Sequence, residues 1–333
     1  MIKFFRKIRQ KLLSENKFSK YLVYAIGEIV LVVIGILIAL YINNQNEIKQ
    51  AEKRSEALLN EVLLDLEHLI STSNNQLNFY FNKEKIFYHI LQDKLTYEDY
   101  VNQTFPSLHG ATIWYNGGVK RRTAYQNIIN ELNSIPDKYK SIINELSYIY
   151  NNKFNENYRD IIEELSNENR KNRAKNYEWY SYNISNNQNK EMIEFMLNDY
   201  RYKNEVKHYA TMVGFHESYI LRDKIRAQNC YLKIAKILNK SIDNSKLYMD
   251  AKKRAMLSGD WTSKQLPGFI AKVYEDESSL RYKTNIDSLT HTFYPITATR
   301  VIDDNGTFFE MIETNGELRV EQMGDIIFEK VNK

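Results

Sequence analysis

The apolar positions along the chain fall into three regimes. Residues 21–42, YLVYAIGEIVLVVIGILIALYI, are apolar on every side and carry one charge, Glu28. At ~1.5 Å per residue a helix of this length crosses the ~30 Å core of a bilayer. From Glu47 to about Asp93 the apolar residues recur in steps of three and four. Leu59, Val62, Leu66 and Leu69 set the seam, and Leu77, Phe81, Tyr88 and Leu91 continue it. That period predicts a coiled-coil or bundle helix that runs out of the membrane as a stalk and then packs. After Leu257 the period drops toward two, which predicts β-strands.

Breakers divide the regimes further. Pro106, Gly110, Gly117 and Gly118 interrupt the helical pattern over Thr104–Gly118, where Trp114 and Tyr115 give the loop enough apolar surface to pack. Helices are expected over Thr123–Asn133, Asp137–Asn151, Asn155–Tyr182 and Lys190–Asn239. Strands are expected over Phe269–Tyr274, Ser279–Lys283, Leu289–Pro295, Thr299–Asp303, Thr307–Glu313, Glu317–Gln322 and Asp325–Val331. Asp304-Asn305-Gly306 and Asn315-Gly316 supply hairpin turns between them. The expected fold class is an α+β membrane protein. It has one N-terminal transmembrane helix, an elongated all-α bundle or stalk, and a small C-terminal antiparallel β meander of seven or eight strands, open or curled into a half-barrel. The expected divisions are 1–20, a cytoplasmic basic amphipathic segment; 21–42, the transmembrane helix; 43–255, an extracytoplasmic helical bundle; and 256–333, the β domain. So small a meander is expected to fill its interior with its own side chains. Gly259-Asp260-Trp261 at its start resembles the Gly-x-Trp that opens lipocalin-like barrels, a match of three residues.

Composition supports the helical reading, since 333 residues hold only 11 Gly and 4 Pro. The net charge of +4 is misleading as a hint of nucleic acid. Residues 1–20 carry seven Lys or Arg against Glu15, which leaves a net −2 for the other 313. The basic excess therefore flanks the span and directs the N-terminus to the cytoplasm by the positive-inside rule. Phe4, Phe5, Ile8 and Leu12 fall on one helical face of this segment, which suits an anionic membrane surface. The span exceeds a signal-peptide apolar region, and Asn43, Asn44, Gln45, Asn46 and Glu47 follow it in place of a cleavage site. Tyr21, Tyr24 and Tyr41 suit the two interfaces.

The block MIKFFRKIRQKLLSENKFSKYLVYAIGEIVLVVIGILIALYINNQNE, residues 1–47, resembles the start of an uncharacterised family of bacterial single-pass membrane proteins, a domain of unknown function. The run Ala25–Ile29, Ala-Ile-Gly-Glu-Ile, is the most specific part. A looser likeness covers Thr123–Asn151. The chain departs from the family at Tyr41, where Gln is usual, and at Gln45, where Trp is usual. The missing Trp removes one interfacial anchor, which Tyr41 replaces. The resemblance implies a bacterial inner-membrane location, with the bulk of the chain periplasmic. It implies no activity, substrate, cofactor or catalytic residue.

Candidate chemistry is sparse. Glu28 is the one candidate functional residue of the span, because a carboxylate there is costly. It is expected to snorkel, to hold a proton or to meet a partner helix, or else to couple an ion flow. Gly27, Gly35 and Ala39 form a small-residue stripe of the kind that favours self-association. Glu205 and His208 make one Glu-x-x-His pair, where a di-metal bundle needs two pairs and two further Glu. Adjacent Glu67-His68 and His216-Glu217 do not share a helix face, and Cys230 and the tyrosines at 200, 202, 209, 219 and 231 read as packing residues. No catalytic, cofactor or metal site is expected. The leading functional expectation is a non-enzymatic, membrane-anchored envelope protein that mediates protein–protein interaction or scaffolding. The alternative is an extracytoplasmic sensor or ligand-binding subunit that signals through a partner, since about 20 cytoplasmic residues hold no output domain. Membrane lipids and a protein partner or a second copy are the expected partners, and nucleic acid is not.

Overall fold

The computed structural model describes residue 6, residue 10 and residues 18–181, 189–314, 317–322 and 326–331. Most of the expected amphipathic segment 1–20 and the Asn315-Gly316 turn lie outside these residues, as do the side chains of Tyr21 and Tyr24. Helix α1, Phe18–Leu91, is one uninterrupted helix of 74 residues, or about 110 Å. It contains no Pro and only two Gly, Gly27 and Gly35. Among the described side chains of its apolar start all are exposed but those of Ala25 and Glu28, which are half-buried, and this helix is long and apolar enough to cross a membrane. Asn43–Gln50 continue as an exposed stalk, and Ser55 is the first buried residue.

Beyond the stalk α1 packs against α7, Tyr200–Ile237. Phe87 meets Tyr209 at 6.0 Å, Tyr80 meets His216 at 5.5 Å, and the Tyr231 hydroxyl donates to Glu67 at 2.9 Å. Those pairings run antiparallel, so the seam expected from Leu59 to Phe81 is a bundle face; no coiled coil is shown among the described residues. Between the pair lie α2 (Tyr97–Asn102), α3 (Thr123–Asn130), α4 (Asp137–Tyr150), α5 (Phe154–Asn176) and α6 (Lys190–Asn198). The helix expected over Lys190–Asn239 is divided at Asp199, whose side chain caps α7 by accepting the Arg201 N–H at 2.8 Å.

Buried charges here satisfy backbone. The loop 104–118 is largely irregular, yet Leu108, Ala111 and Thr112 are at most 1% exposed. Its carbonyls have no ladder to join and need side-chain donors. Lys83 donates to the carbonyls of Gly110 and Ala111 at 2.8 and 2.6 Å. Arg170 donates to Ile113, and Tyr80 and Tyr209 donate to Asn116 and Trp114. Arg173, 1% exposed, pairs with Glu205 at 2.5 Å and with the Thr112 hydroxyl.

Short helix α8, Ala251–Leu257, leads into the C-terminal sheet. Here the expectation of a small meander is corrected. Strands β1 (Gly259–Ser263), β2 (Leu266–Asp276), β3 (Ser279–Thr284), β4 (His291–Pro295), β5 (Arg300–Asp303), β6 (Phe308–Thr314), β7 (Glu317–Gln322) and β8 (Ile326–Lys330) form a closed antiparallel barrel. Trp261 and Thr262 of β1 pair with Lys330 and Glu329 of β8, which closes the ring. The seven expected strands omitted β1. Without β1 the second edge of β8 and one edge of β2 stay unpaired and the sheet stays open; with it, eight strands suffice for closure.

The barrel docks on the helical pair through β4–β7. Ile302 and Phe308 point outward and are buried in the core that Phe81 and Tyr80 share. Phe81 and Phe308 meet edge to face at 5.4 Å. Arg300 lies 4.2 Å over the Phe81 ring and donates to Asn78, Asn82 and Glu310. Lys85 pairs with Glu310, and Lys224 of α7 donates to the Pro295 carbonyl. Phe308→Ala should therefore cost about 3–5 kcal/mol, because the residue is fully buried at this junction. Denaturant unfolding of the full chain in detergent, followed by circular dichroism, measures it; a loss below about 1 kcal/mol would count against a firmly docked barrel.

Candidate functional site

Strand alternation sorts the barrel residues. Along β5 and β6, Val301, Asp303, Phe309 and Met311 face inward while Arg300, Ile302, Phe308 and Glu310 face the helices. Both faces are thus buried, so the sequence shows Val-Ile and Phe-Phe pairs in place of apolar–polar alternation. The inward positions do not fill the lumen. A cavity of about 220 Å³ remains, which corrects the expectation of a side-chain-filled interior. Its cause is visible in the register. Ala271 pairs with Thr284, and Val301 and Thr307 lie on the wall, so small side chains occupy positions that Leu or Phe would need to fill.

The up-and-down connectivity separates the two ends. Helix α8 lies at the end where β1 begins, and Leu257 and Trp261 line the cavity there. The Trp261 indole donates to the Leu257 carbonyl at 2.7 Å and is 3% exposed. This fastens α8 across the floor. The Gly-x-Trp noticed in the sequence therefore places its Trp in the cavity wall. Gly259 has φ +139, and a Cβ there would come 2.7 Å from the Lys330 side chain, so glycine suits the crossing.

The β3–β4 and β5–β6 connections lie at the other end and carry the polar groups. Asp303 is 1% exposed. Its Oδ1 accepts the N–H groups of Asn305 and Thr307 at 3.0 and 2.7 Å, and Oδ2 accepts the Tyr282 hydroxyl at 2.6 Å. The carboxylate thus holds the Asp304-Asn305-Gly306 turn and also faces the cavity. His291, 5% exposed, bonds Asp304 through Nδ1 at 3.0 Å, with Asp287 3.7 Å from Nε2. Burial would lower the His291 pKa and is the largest single influence, but the carboxylates of Asp304, Asp287 and Asp303 outweigh it and hold the imidazole above its usual value. Burial and the Asp303 carboxylate raise the Tyr282 phenol, so it remains a hydrogen-bond donor. Three rings, Tyr282, Phe293 and Phe309, touch one another beside this cluster, at centroid distances of 4.7, 5.4 and 6.4 Å.

The residues singled out in the sequence lie elsewhere. Glu28 sits within the apolar part of α1, where its neighbours Ile26 and Ile29 are exposed, far from the barrel. Glu205 is bonded to Arg173 and Thr112, while His208 is exposed. His216 and Glu217 are buried on α7; burial lowers the imidazole to about 4. Burial also raises both Glu217 and its neighbour Glu84 across the α1–α7 contact. Cys230 is buried and free, its thiol pushed up to about 11 by burial, which leaves it unreactive. Among the described residues no group of three or more His, Cys, Asp or Glu is placed to hold a metal ion. The cavity residues were missed because each is ordinary in sequence; the only signals were the Gly-x-Trp and the Asp-Asn-Gly turn.

His291 gives a pH test. Its pKa is higher folded than unfolded, so its contribution to stability is fully present below the unfolded value of about 6.5 and is lost as pH rises through the folded value. His291→Gln should cost about 1–2 kcal/mol at pH 6, the scale of a charge-assisted hydrogen bond, and much less at pH 9. Thermal unfolding of both proteins at the two pH values measures this, and an equal cost at both would be inconsistent with a charged His291.

Compared with protein-family models, curated proteins and solved structures, the chain gives no match, and the chemistry of the cavity is read from its own residues.

Proposed function

We propose that the protein is a single-pass envelope protein whose barrel binds a small, largely apolar molecule, and that it serves as a binding subunit working through a partner. The observation that carries this reading is the cavity in the barrel lumen, bordered at one end by α8, walled by aromatic and aliphatic side chains and polar at the other end. That combination is the usual make-up of a ligand site. A dry cavity of ~150 Å³ already takes benzene, so about 220 Å³ suits a slightly larger molecule.

The anchor supports the placement. The basic flank and the positive-inside rule put the N-terminus in the cytoplasm and the rest across the bacterial inner membrane, in the periplasm; the likeness of residues 1–47 to single-pass family members agrees with this. Phe81, where the barrel docks, lies 39 residues beyond Ile42 on the same helix, about 60 Å from the end of the span. The barrel is then held well clear of the bilayer. Glu28 is the proposed contact for a partner span, and Glu28→Gln should lower recovery of that partner in crosslinked membranes.

A second reading, protein interaction through the helical body, has its own observation. Phe154, Tyr219, Tyr158 and Phe215 form a row of touching rings, Phe154 and Phe215 exposed and the two tyrosines half-buried, with Arg222 over Tyr219 at 5.4 Å. Aromatic and Arg side chains are enriched at interfaces. The row and the cavity serve different partners, so both readings hold together in a binding subunit.

The cavity reading is tested by filling it. Ala271→Phe, checked for native circular dichroism, should retain none of the small molecules that the purified wild-type chain carries or takes up from a library of fragment-sized compounds. Equal retention by the two proteins, measured by mass spectrometry after denaturation, would sink it.

A further inference from the structure

Given that the barrel is a ligand site, its lining also selects the charge of the ligand. Two carboxylates, Asp287 and Asp303, line the polar end, and among the described lining residues there is no Lys or Arg. A third carboxylate, Asp304, lies behind His291 and is bonded to it. Even a charged His291 offsets only one of the three. Asp303 is buried, where the apolar wall screens its field little, whereas Asp287 and Asp304 are 45% and 36% exposed and water screens them. Beside the carboxylates stands the corner of three rings, Tyr282, Phe293 and Phe309. Aromatic faces attract cations, and this attraction grows when water is excluded.

An anion in this cavity would meet carboxylates and ring faces, with His291 as the one counter-charge in the described lining and that already bonded to Asp304. A neutral molecule would fill the apolar wall but leave the buried Asp303 carboxylate, whose three donors are all uncharged, without a counter-charge of its own. A cation satisfies both, since an ammonium group offers donors to Asp287 and to the Tyr282–Asp303 pair while its body lies between Phe309, Phe328 and Val301.

We propose that the barrel cavity binds a compact organic cation, an amine with an apolar body, with its ammonium group at Asp287, Asp303 and the Tyr282–Phe293–Phe309 corner and its body toward the Trp261 floor. Scaling from the ~150 Å³ that holds benzene, the cavity takes about nine non-hydrogen atoms. Phenethylamine is a probe of that size, with 2-phenylethanol as its neutral and phenylacetate as its anionic counterpart.

The experiment titrates each of the three into the full chain in phosphatidylcholine nanodiscs, with empty nanodiscs subtracted and binding read by saturation-transfer NMR. Phenethylamine should bind at least about tenfold more tightly than 2-phenylethanol, the scale of a charge-assisted hydrogen bond, and phenylacetate should not bind. Asp287→Asn with Asp303→Asn should reduce the preference of amine over alcohol to about twofold or less. The amide carbonyl introduced by Asp303→Asn keeps the turn's two N–H groups bonded, and Asp287→Asn alone, which should halve the preference or more, serves if the double variant does not fold. Equal binding of amine and alcohol to the wild-type chain, or tighter binding of phenylacetate, overturns the cation proposal and leaves the ligand reading standing. Failure of all three to bind, or undiminished binding to Ala271→Phe, overturns both.

Discussion

The structure is organised by the burial of one apolar seam on one helix. From Ser55 to Ile90 the inward face of α1 is covered, chiefly by the antiparallel α7. Since α1 begins in the apolar stretch and passes without a break into the bundle, the same backbone hydrogen-bond ladder carries anchor, stalk and core. Remove the seam contacts and the loops, the short helices and the barrel have no surface to dock on. Most helical stability in proteins comes from packing of an apolar face, so the seam also keeps the helical body ordered beyond the stalk.

The barrel adds a second constraint, closure. Joining β1 to β8 satisfies both sheet edges and encloses a lumen whose width follows from strand number. Strands β5 and β6 then serve two surfaces at once. Asp303 and Phe309 face the cavity, and their neighbours Ile302 and Phe308 face the helices. A shift of the inner row would reach the docked outer row through the same backbone, and the outer row rests on Asn78, Phe81 and Lys85 of α1.

The buried charges of the helical body have a different origin. Lys83, Arg170 and Arg173 answer the carbonyl and hydroxyl groups of a buried irregular loop. Burial and the Arg173 charge push the Lys83 pKa well down, but the ammonium is committed to two carbonyls. At the barrel end, by contrast, Asp303 and His291 hold a turn and also border open volume. A perturbed group such as His291 becomes a site candidate because it borders such space.

The apolar run 21–42, the three- and four-residue steps of α1 and the late change to period two were legible in the sequence, because each is a local rule of one helix or strand. The turn at Asp304-Asn305-Gly306 was legible for the same reason. Barrel closure was not. It depends on β1, a five-residue strand whose only mark is Gly-Asp-Trp, meeting β8 nearly 70 residues later. The cavity was not legible either, since its volume is the sum of side chains from eight strands, and no local pattern reports a shortfall of atoms in the middle. Nor was the gathering of Asp287, His291 and Asp303 around Tyr282. Sequence by itself determined where the chain is helix, where it is strand and which helix is long and apolar enough to cross a membrane; only the tertiary structure decided which residues surround an empty space, because that follows from non-local pairing and packing.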